Sequence, residues 1–457
     1  MPPSAPASPS PATRRASQLL LLRRIGLMSM YLVVAAAPLV LALVGSRPPG
    51  RGFWVDAAFG LGLVGLAMIG LQFLSVARIA RVDAPYGIDA VMRYHRQIAY
   101  VLLAFLVAHP LLLLTEPAYR SLVNPLEAPA RVLWGIGAMS ALLVTVVLAR
   151  WRLRLRVSYE AWRLTHGLLA WGVAGAALLH VRGVGVYTGA GTWKATVWTG
   201  WSLAFMALLA YVRVWKPLVR LRRPWVVDRV VPQPGGAVSL QLRPLHPGRG
   251  LRLRFRAGQF AWLTLADTTF DPREHPFSLS SSAARPDRVE FTVKPLGDFT
   301  SRIAGYEGNL AYLEGPFGNF GIGWDSAAHL VLVAGGVGIT PIMSILRTMA
   351  DTDDRRPATV IYGNKTWDTT VFADELEELA RGLDLRVVHV LEQPPPDWDG
   401  PTGFIDAKLL GQVLPQDRSG VQCYVCGPPP MMAAVERALI ASGVPPRQIH
   451  AELFTFA

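Results

Sequence analysis

The chain has 457 residues, a formal charge of +13 and only two cysteines, a length that allows two to four domains. Its mean hydropathy is positive; with that charge the combination is unnatural for a soluble enzyme, but it suits a membrane protein whose arginines mark one face of the bilayer. Two cysteines build no disulfide framework. The second half has no basic stripe interleaved with aromatics, which excludes nucleic acid as a partner.

Residues 1–17 are rich in Pro, Ser and Ala, include Arg14 and Arg15, and read as a disordered basic tail. Six apolar segments follow, at 25–44, 55–77, 91–114, 132–149, 162–181 and 195–214, each near the roughly 20 residues that cross a bilayer as a helix. They define a predicted six-helix membrane domain over 18–222. The first segment also suits a signal peptide, although it exceeds the usual h-region of about 7–15 residues. Arginine and lysine crowd the second connection (Arg78, Arg81, Arg93, Arg96), the fourth (Arg150, Arg152, Arg154, Arg156, Arg163) and the stretch after the sixth helix (Arg213, Lys216, Arg220, Arg222, Arg223). The other connections hold fewer, such as Arg47, Arg51, Arg120 and Arg182. The positive-inside rule therefore predicts a multi-pass protein of the cell membrane, surrounded by lipid, with both termini cytoplasmic.

Polar groups inside membrane helices are costly and mark function. His95 and His109 lie on the third predicted helix and His166 and His180 on the fifth, each pair 14 residues apart. At about 100° and 1.5 Å per residue, such a pair shares one helix face roughly 21 Å apart. Facing helices then create two histidine pairs, His95 with His166 and His109 with His180. Each pair can supply both axial ligands of a haem. Helix capping or helix–helix bonding is the plainer role for any one of them, and two remote two-histidine sites suit tetrahedral zinc poorly.

On these histidines the membrane half resembles the ferric reductase-like transmembrane domain of the NADPH oxidase and ferric reductase superfamily. The resemblance implies two bis-histidine b-type haems between the third and fifth helices. Their irons would be coordinatively full, so the outer haem would donate electrons rather than bind oxygen.

After Pro224 the pattern changes to short alternating runs, VSLQLRP, LRLRFRAGQFAWLTL and RVEFTVKP, which predict a small antiparallel β-barrel over 223–326. Arg273–Ser281 places an aromatic, hydroxyls and an imidazole side by side, and Gly297–Thr300 offers a tight turn whose amides suit a pyrophosphate. HPFS alone equally fits a Pro-Ser turn between strands. In order with GQF (Gly258–Phe260) and EGPFG (Glu314–Gly318), the segment resembles the FAD domain of ferredoxin-reductase-type enzymes. That resemblance implies that His275, Pro276, Phe277, Ser278, Ser281 and Lys294 contact FAD, with Gly297, Asp298, Phe299 and Thr300 at its phosphates.

HLVLVAGGVGITPIMSILRTMA predicts a buried strand at 329–334, a glycine turn and a helix within an α/β nucleotide-binding domain over 327–457. Gly335, Gly336 and Gly338 allow backbone to approach phosphate, Thr340 is a candidate cap, and Pro341 suits the first turn. Pro341 stands where the third glycine of the ordinary dinucleotide fingerprint belongs; the GGVGITP form matches the reductase family. Lys365, after VIYGN, is a candidate for the 2′-phosphate that separates NADPH from NADH.

Cys423 and Cys426 form a C-x-x-C, but on a strand such residues point to opposite faces, which argues against a dithiol site. The family likeness instead puts Cys426, Gly427 and Pro428 beside the nicotinamide. It also implies that Glu452 and Phe454, near the C-terminus, place an acid and a stacking ring at the flavin, with Phe456 a second aromatic there.

The assembled expectation is an oxidoreductase that moves electrons from cytosolic NAD(P)H through FAD and two haems to an acceptor on the outer side. Dioxygen giving superoxide leads; a ferric chelate, a quinone or a partner protein stands as the alternative. A channel with a regulatory nucleotide domain would share the six helices and leave the matched histidines unexplained. No calcium loop of the EF-hand type is present, and no obligatory activator protein is expected.

Overall fold

Six helices long and apolar enough to span a membrane fill the first half of the computed structural model, which describes residues 11–44, 49–79, 87–189, 193–247, 251–321, 327–418 and 420–451. They are α1 (Pro11–Leu43), α2 (Phe53–Ser75), α3 (Ile88–Leu113), α4 (Ala130–Trp151), α5 (Tyr159–Val184) and α6 (Trp193–Ala210). α6 continues through a π-helical turn, Tyr211–Trp215, into a last helical piece, Lys216–Leu221. Helix α1 begins at Pro11, inside the stretch 1–17 expected to be a disordered tail. Proline suits the first helical position, and nothing in ATRRASQLL breaks the helix after it.

Helix α2 is apolar on every side, the mark of a buried helix. It runs through the middle of its unit, with Val55, Ala58, Leu66 and Ala67 almost wholly covered by neighbours that include α3 and α6. Large apolar side chains on the other helices, such as Leu111, Leu164, Leu168 and Leu203, face outward, as a lipid surface requires. Helix α5 starts at Ser158, whose hydroxyl accepts from Ala161 N at 3.2 Å, and ends at Gly185 in the left-handed region (φ 68°). The chain divides into two compact units with the boundary between Pro217 and Leu218.

The second unit holds two sheets. The first contains β1 (Trp225–Pro232), β2 (Val238–Pro244), β3 (Phe260–Leu265), β4 (Glu274–Ser278), β5 (Val289–Val293) and β6 (Leu310–Phe317), all antiparallel, in the order β4-β3-β6-β1-β2-β5. The antiparallel β architecture is the one expected, although among the described residues no full ladder closes it into a barrel. Its outer strands meet at the single bridge Leu279↔Phe291, supported by Ser280 N donating to Glu290 O at 2.8 Å. Residues 251–256 are also not a strand, although Leu253 and Phe255 are buried while Arg252, Arg254 and Arg256 are exposed. The alternation is real, but Leu253 N bonds Pro286 O rather than a ladder partner. HPFS lies within β4 rather than in a turn. β4 is a sheet edge, where proline costs no ladder bond.

The second sheet is parallel: β7 (His329–Gly335), β8 (Ala358–Asn364), β9 (Leu385–Leu391), β10 (Val421–Cys426) and β11 (Ile449–Ala451), in the order β11-β10-β7-β8-β9. A short helix α7 (Asp298–Ser301) belongs to the first sheet's connections. Helices α8 (Ile339–Asp351), α9 (Ala373–Gly382), α10 (Ala407–Val413) and α11 (Pro429–Ala441) accompany the second. Leu330, Leu332 and Ala334 pack into one core, whereas Val331 and Val333 pack into the other. Both faces of the sheet are therefore covered, as a parallel sheet requires.

Candidate functional site

Within the helical unit the four histidines meet in two pairs. The rings of His95 and His166 are centred 6.4 Å apart at 61°, and those of His109 and His180 lie 6.3 Å apart at 78°. A metal sits about 2 Å from an imidazole nitrogen, and roughly 1 Å more reaches each ring centre, so two imidazoles on one ion stand about 6 Å apart. Among the described residues no group of three or more His, Cys, Asp or Glu side chains converges on a metal-sized point. Each pair therefore suits a metal that arrives with most of its ligands, as haem iron does.

The rings are oriented from behind. His109 Nδ1 lies 2.7 Å from Ala58 O and His180 Nδ1 lies 2.6 Å from Arg131 O. A carbonyl can only accept, so each Nδ1 donates and each Nε2 keeps its lone pair for a metal. His95 Nδ1 is 3.0 Å from Ser75 Oγ, whose own proton goes to Gln72 O at 2.8 Å, so His95 holds the same tautomer. His166 Nδ1 and the neighbouring Trp162 Nε1 are buried without a hydrogen-bond partner among the described residues. The Arg213 guanidinium lies beside Gly167, 3.8 Å from where its Cβ would be. The unpartnered Trp162 indole N–H and a nearby guanidinium at this pair fit a ligand that carries carboxylates. Glycines make the space: a Cβ at Gly62 would meet His109 Nδ1 at 3.1 Å, and one at Gly135 would meet His180 Nδ1 at 2.7 Å. Sequence reasoning did not identify Ser75, Gln72, Gly62 or Gly135 as site residues; the repeated glycines of GLGLVGLAMIG were the available signal.

In the antiparallel sheet, His275, Pro276, Phe277 and Ser278 are half-buried, whereas Leu279 and Ser280 beyond them are fully covered. The His275 and Phe299 rings are 4.3 Å apart, and Phe277 stacks on Phe299 at 6.3 Å and 14°. The structure thus joins the HPFS segment to the Gly297–Thr300 turn through Phe299. The Gly297 amide, and that of Leu296 before the turn, are not available to a phosphate, because Thr300 Oγ1 accepts from them at 3.0 and 2.9 Å. Ser281 Oγ accepts from Glu290 N at 3.1 Å, and Lys294 and Asp298 are exposed.

In the parallel sheet the two nucleotide motifs come together. β10 and β7 are neighbours, and the chain leaves β7 for β8 on the other side. Their carboxyl ends thus form a switch point, where α/β sheets bind ligands. A Cβ at Gly338 would fall 2.4 Å from Cys426 O, and one at Gly427 would fall 3.1 Å from Gly335 backbone; these loops touch only because they are glycine. Gly336 takes φ 54°. Thr340 does not cap α8: Gly338 holds the cap position, and the Thr340 hydroxyl donates back to Val337 O at 2.7 Å. Pro341 is the third helical residue, still within the first turn, while Pro428 precedes α11. Lys365 is exposed just beyond β8.

Cys423 and Cys426 pack into cores on opposite faces of the sheet. Burial pushes the Cys423 thiol up to about 12, so this cysteine is no reactive thiolate. Glu452, Phe454 and Phe456 lie outside the described residues.

Comparison with known families matches residues 61–177 to the ferric reductase like transmembrane component and residues 332–437 to the oxidoreductase NAD-binding domain. The chain thus joins a segment similar to the ferric reductase transmembrane component to one similar to an oxidoreductase NAD-binding domain. The first match includes His95, His109 and His166 and ends before His180; the second includes the glycine turn and Cys426. The reductase component of propane 2-monooxygenase from Mycolicibacterium smegmatis is 33% identical over 239 residues, covering 50% of this chain and 66% of that one. NADH-cytochrome b5 reductase 1 from Candida glabrata is 32% identical over 163 residues, covering 34% and 57%. The chain thus spans between half and two thirds of the length of the curated relatives it matches. Among solved structures, flavohemoglobin from Malassezia yamatoensis overlaps 85% of this chain and 98% of its own at 17% identity and a TM-score of 0.45.

Proposed function

We propose that the chain is a multi-pass membrane oxidoreductase that carries electrons from cytosolic NAD(P)H, through FAD and two b-type haems, to dioxygen on the far side, giving superoxide. The observation that carries this reading is the pair of histidine sites, each with ring centres 6.3–6.4 Å apart, on one chain with a glycine turn packed against Cys426. When bound, the flavin takes up the electron pair that a nicotinamide delivers, and each haem iron holds one electron.

The chain's own residues do the placing. Ala58 O, Arg131 O and Ser75 Oγ hold His109, His180 and His95 with Nε2 toward the metal position. Trp162 Nε1 would donate to a haem carboxylate beside His166, with the Arg213 guanidinium nearby adding positive charge. His275, Phe277 and Phe299 offer a ring surface to the flavin, and the Gly335–Gly338 turn presents backbone to the nucleotide phosphates with Cys426 at the nicotinamide. We assign 18–222 to the membrane domain, 223–326 to FAD and 327–457 to NAD(P)H. Both ends belong on the cytoplasmic side by the positive-inside rule.

The test is the visible spectrum of purified protein before and after NADPH or NADH, with the haem-to-flavin ratio. A Soret band that shifts on reduction, at about two haems per flavin, is expected from two bis-histidine pairs. A flavin spectrum alone would reduce the protein to a tethered reductase, and a colourless protein would favour the channel. Dye reduction that superoxide dismutase abolishes identifies dioxygen as acceptor; reduction of ferric chelate that it leaves untouched overturns that part.

A further inference from the structure

Helix α8, which follows the glycine turn, presents a polar stripe to the antiparallel sheet. Thr340, Ser344, Arg347, Thr348 and Asp351 recur at three- and four-residue intervals, hence on one face, and all of them reach the segment 280–292. Ser344 Oγ donates to Ser281 O at 2.7 Å, Thr348 Oγ1 accepts from Ala283 N at 2.9 Å, and Asp351 pairs with Arg285 at 2.5 Å. Thr340 Oγ1 stands 3.5 Å from Thr292 O.

Arg347 is the centre of the stripe. Its Nη1 donates to Ser280 O at 2.9 Å and to Glu290 Oε1 at 2.6 Å. Its Nε and Nη2 grip both oxygens of Glu375, on α9, at 2.6 and 2.7 Å. The guanidinium lies 5.0 Å over the Phe372 ring, and Phe372 holds the left-handed φ of 62° that a bulky residue adopts only under constraint. Glu290 is buried and fixed from the other side by Ser280 Oγ at 2.8 Å and Gln241 Nε2 at 3.0 Å.

A buried ion-pair network adds little net stability over an apolar contact, but a rigid five-donor fork with fixed partners specifies geometry. Ser280 is two residues beyond Ser278, and α8 begins at the residue after Gly338. The network therefore ties together the roots of the flavin-facing strand and the nucleotide turn. Resting on the function proposed above, we propose that Arg347 is a positioning residue that sets how a nicotinamide meets the flavin for hydride transfer. In that step a hydride, two electrons with one proton, leaves the nicotinamide ring and reduces the flavin.

The test uses the full-length protein in detergent. Arg347→Lys keeps the charge and loses the fork; Glu375→Gln keeps Arg347 on Glu290 and weakens only its second anchor. The expected result is a fall in the limiting rate of flavin reduction at saturating nucleotide, on the order of tenfold or more for Arg347→Lys and less for Glu375→Gln. Nucleotide Kd and flavin content should stay nearly constant, and the nicotinamide–flavin charge-transfer absorbance should weaken. Unchanged rates in both variants, or losses restored by added FAD, would overturn the proposal. If Arg347→Lys does not fold, the rate in Glu375→Gln decides alone. Wild-type protein whose flavin NAD(P)H never reduces would instead refute the underlying reading.

Discussion

Gly135 of α4 has no room for a side chain. A Cβ there would lie 2.7 Å from His180 Nδ1, the atom that donates to Arg131 O at 2.6 Å. Two residues on, Gly137 has nothing within 4 Å of its Cβ position. Gly135→Ala must therefore push the imidazole off its carbonyl or the helices apart, an overpacking cost of about 1–3 kcal/mol, while Gly137→Ala costs nothing of that kind. The expected outcome is a haem-to-flavin ratio that falls from about two toward one in Gly135→Ala and holds in Gly137→Ala, since bis-histidine ligation needs both rings in place. Pyridine haemochrome and flavin extraction on the two variants check this. The histidines themselves were legible, because an imidazole in an apolar helix stands out and a shared 14-residue spacing is hard to meet by chance. The glycines that admit them were not, because glycine is frequent in membrane helices for packing reasons alone.

At the scale of elements, the strand–turn–helix of β7 and α8 was legible because a buried apolar run, three glycines and Pro341 all signal the same local path. What the turn rests on was not. Gly338 touches Cys426 O and Gly427 N, 2.4 and 2.9 Å from its would-be Cβ, a contact made across more than eighty residues of chain. Gly338→Ala should drive the two loops apart at the switch point, raising KM for the nucleotide with little change in flavin content, and lowering stability by about 1–3 kcal/mol. Steady-state kinetics with a dye acceptor, alongside thermal unfolding followed by flavin fluorescence, measures both. An unaltered KM would mean that the turn is not where the nucleotide phosphates sit. The antiparallel sheet shows the opposite limit of local reading. LRLRFR alternates as a strand does, yet it lacks a ladder, because pairing is decided by neighbours that a local pattern does not contain. EHPFS carries a proline and is a strand all the same, since the sheet edge spares its nitrogen a partner.

For the whole molecule, the change of texture near Pro224 in the sequence and the division at Pro217/Leu218 in the structure fall within one helical turn or two of each other. Composition makes that division legible: apolar runs of bilayer length cannot belong to the same core as short alternating strands. Residues 218–457 bury both faces of a parallel sheet and pack a second core against an antiparallel one, so this piece should fold without the helices. Expressed alone, it should retain FAD and reduce ferricyanide with NAD(P)H at a rate within a few-fold of the intact chain, and it should show no Soret band. Residues 20–217, made separately, should bind haem and stay oxidised when nucleotide is added. Mixing the two pieces at micromolar concentration tests what covalent linkage contributes. A short tether holds partners at an effective concentration of about millimolar, so haem reduction in the mixture should be slower by roughly a thousandfold than in the intact chain. A mixture that matched the intact chain would show that the halves bind each other tightly without the tether. A soluble piece that lost its flavin would show instead that the cofactor's seat depends on residues before Leu218.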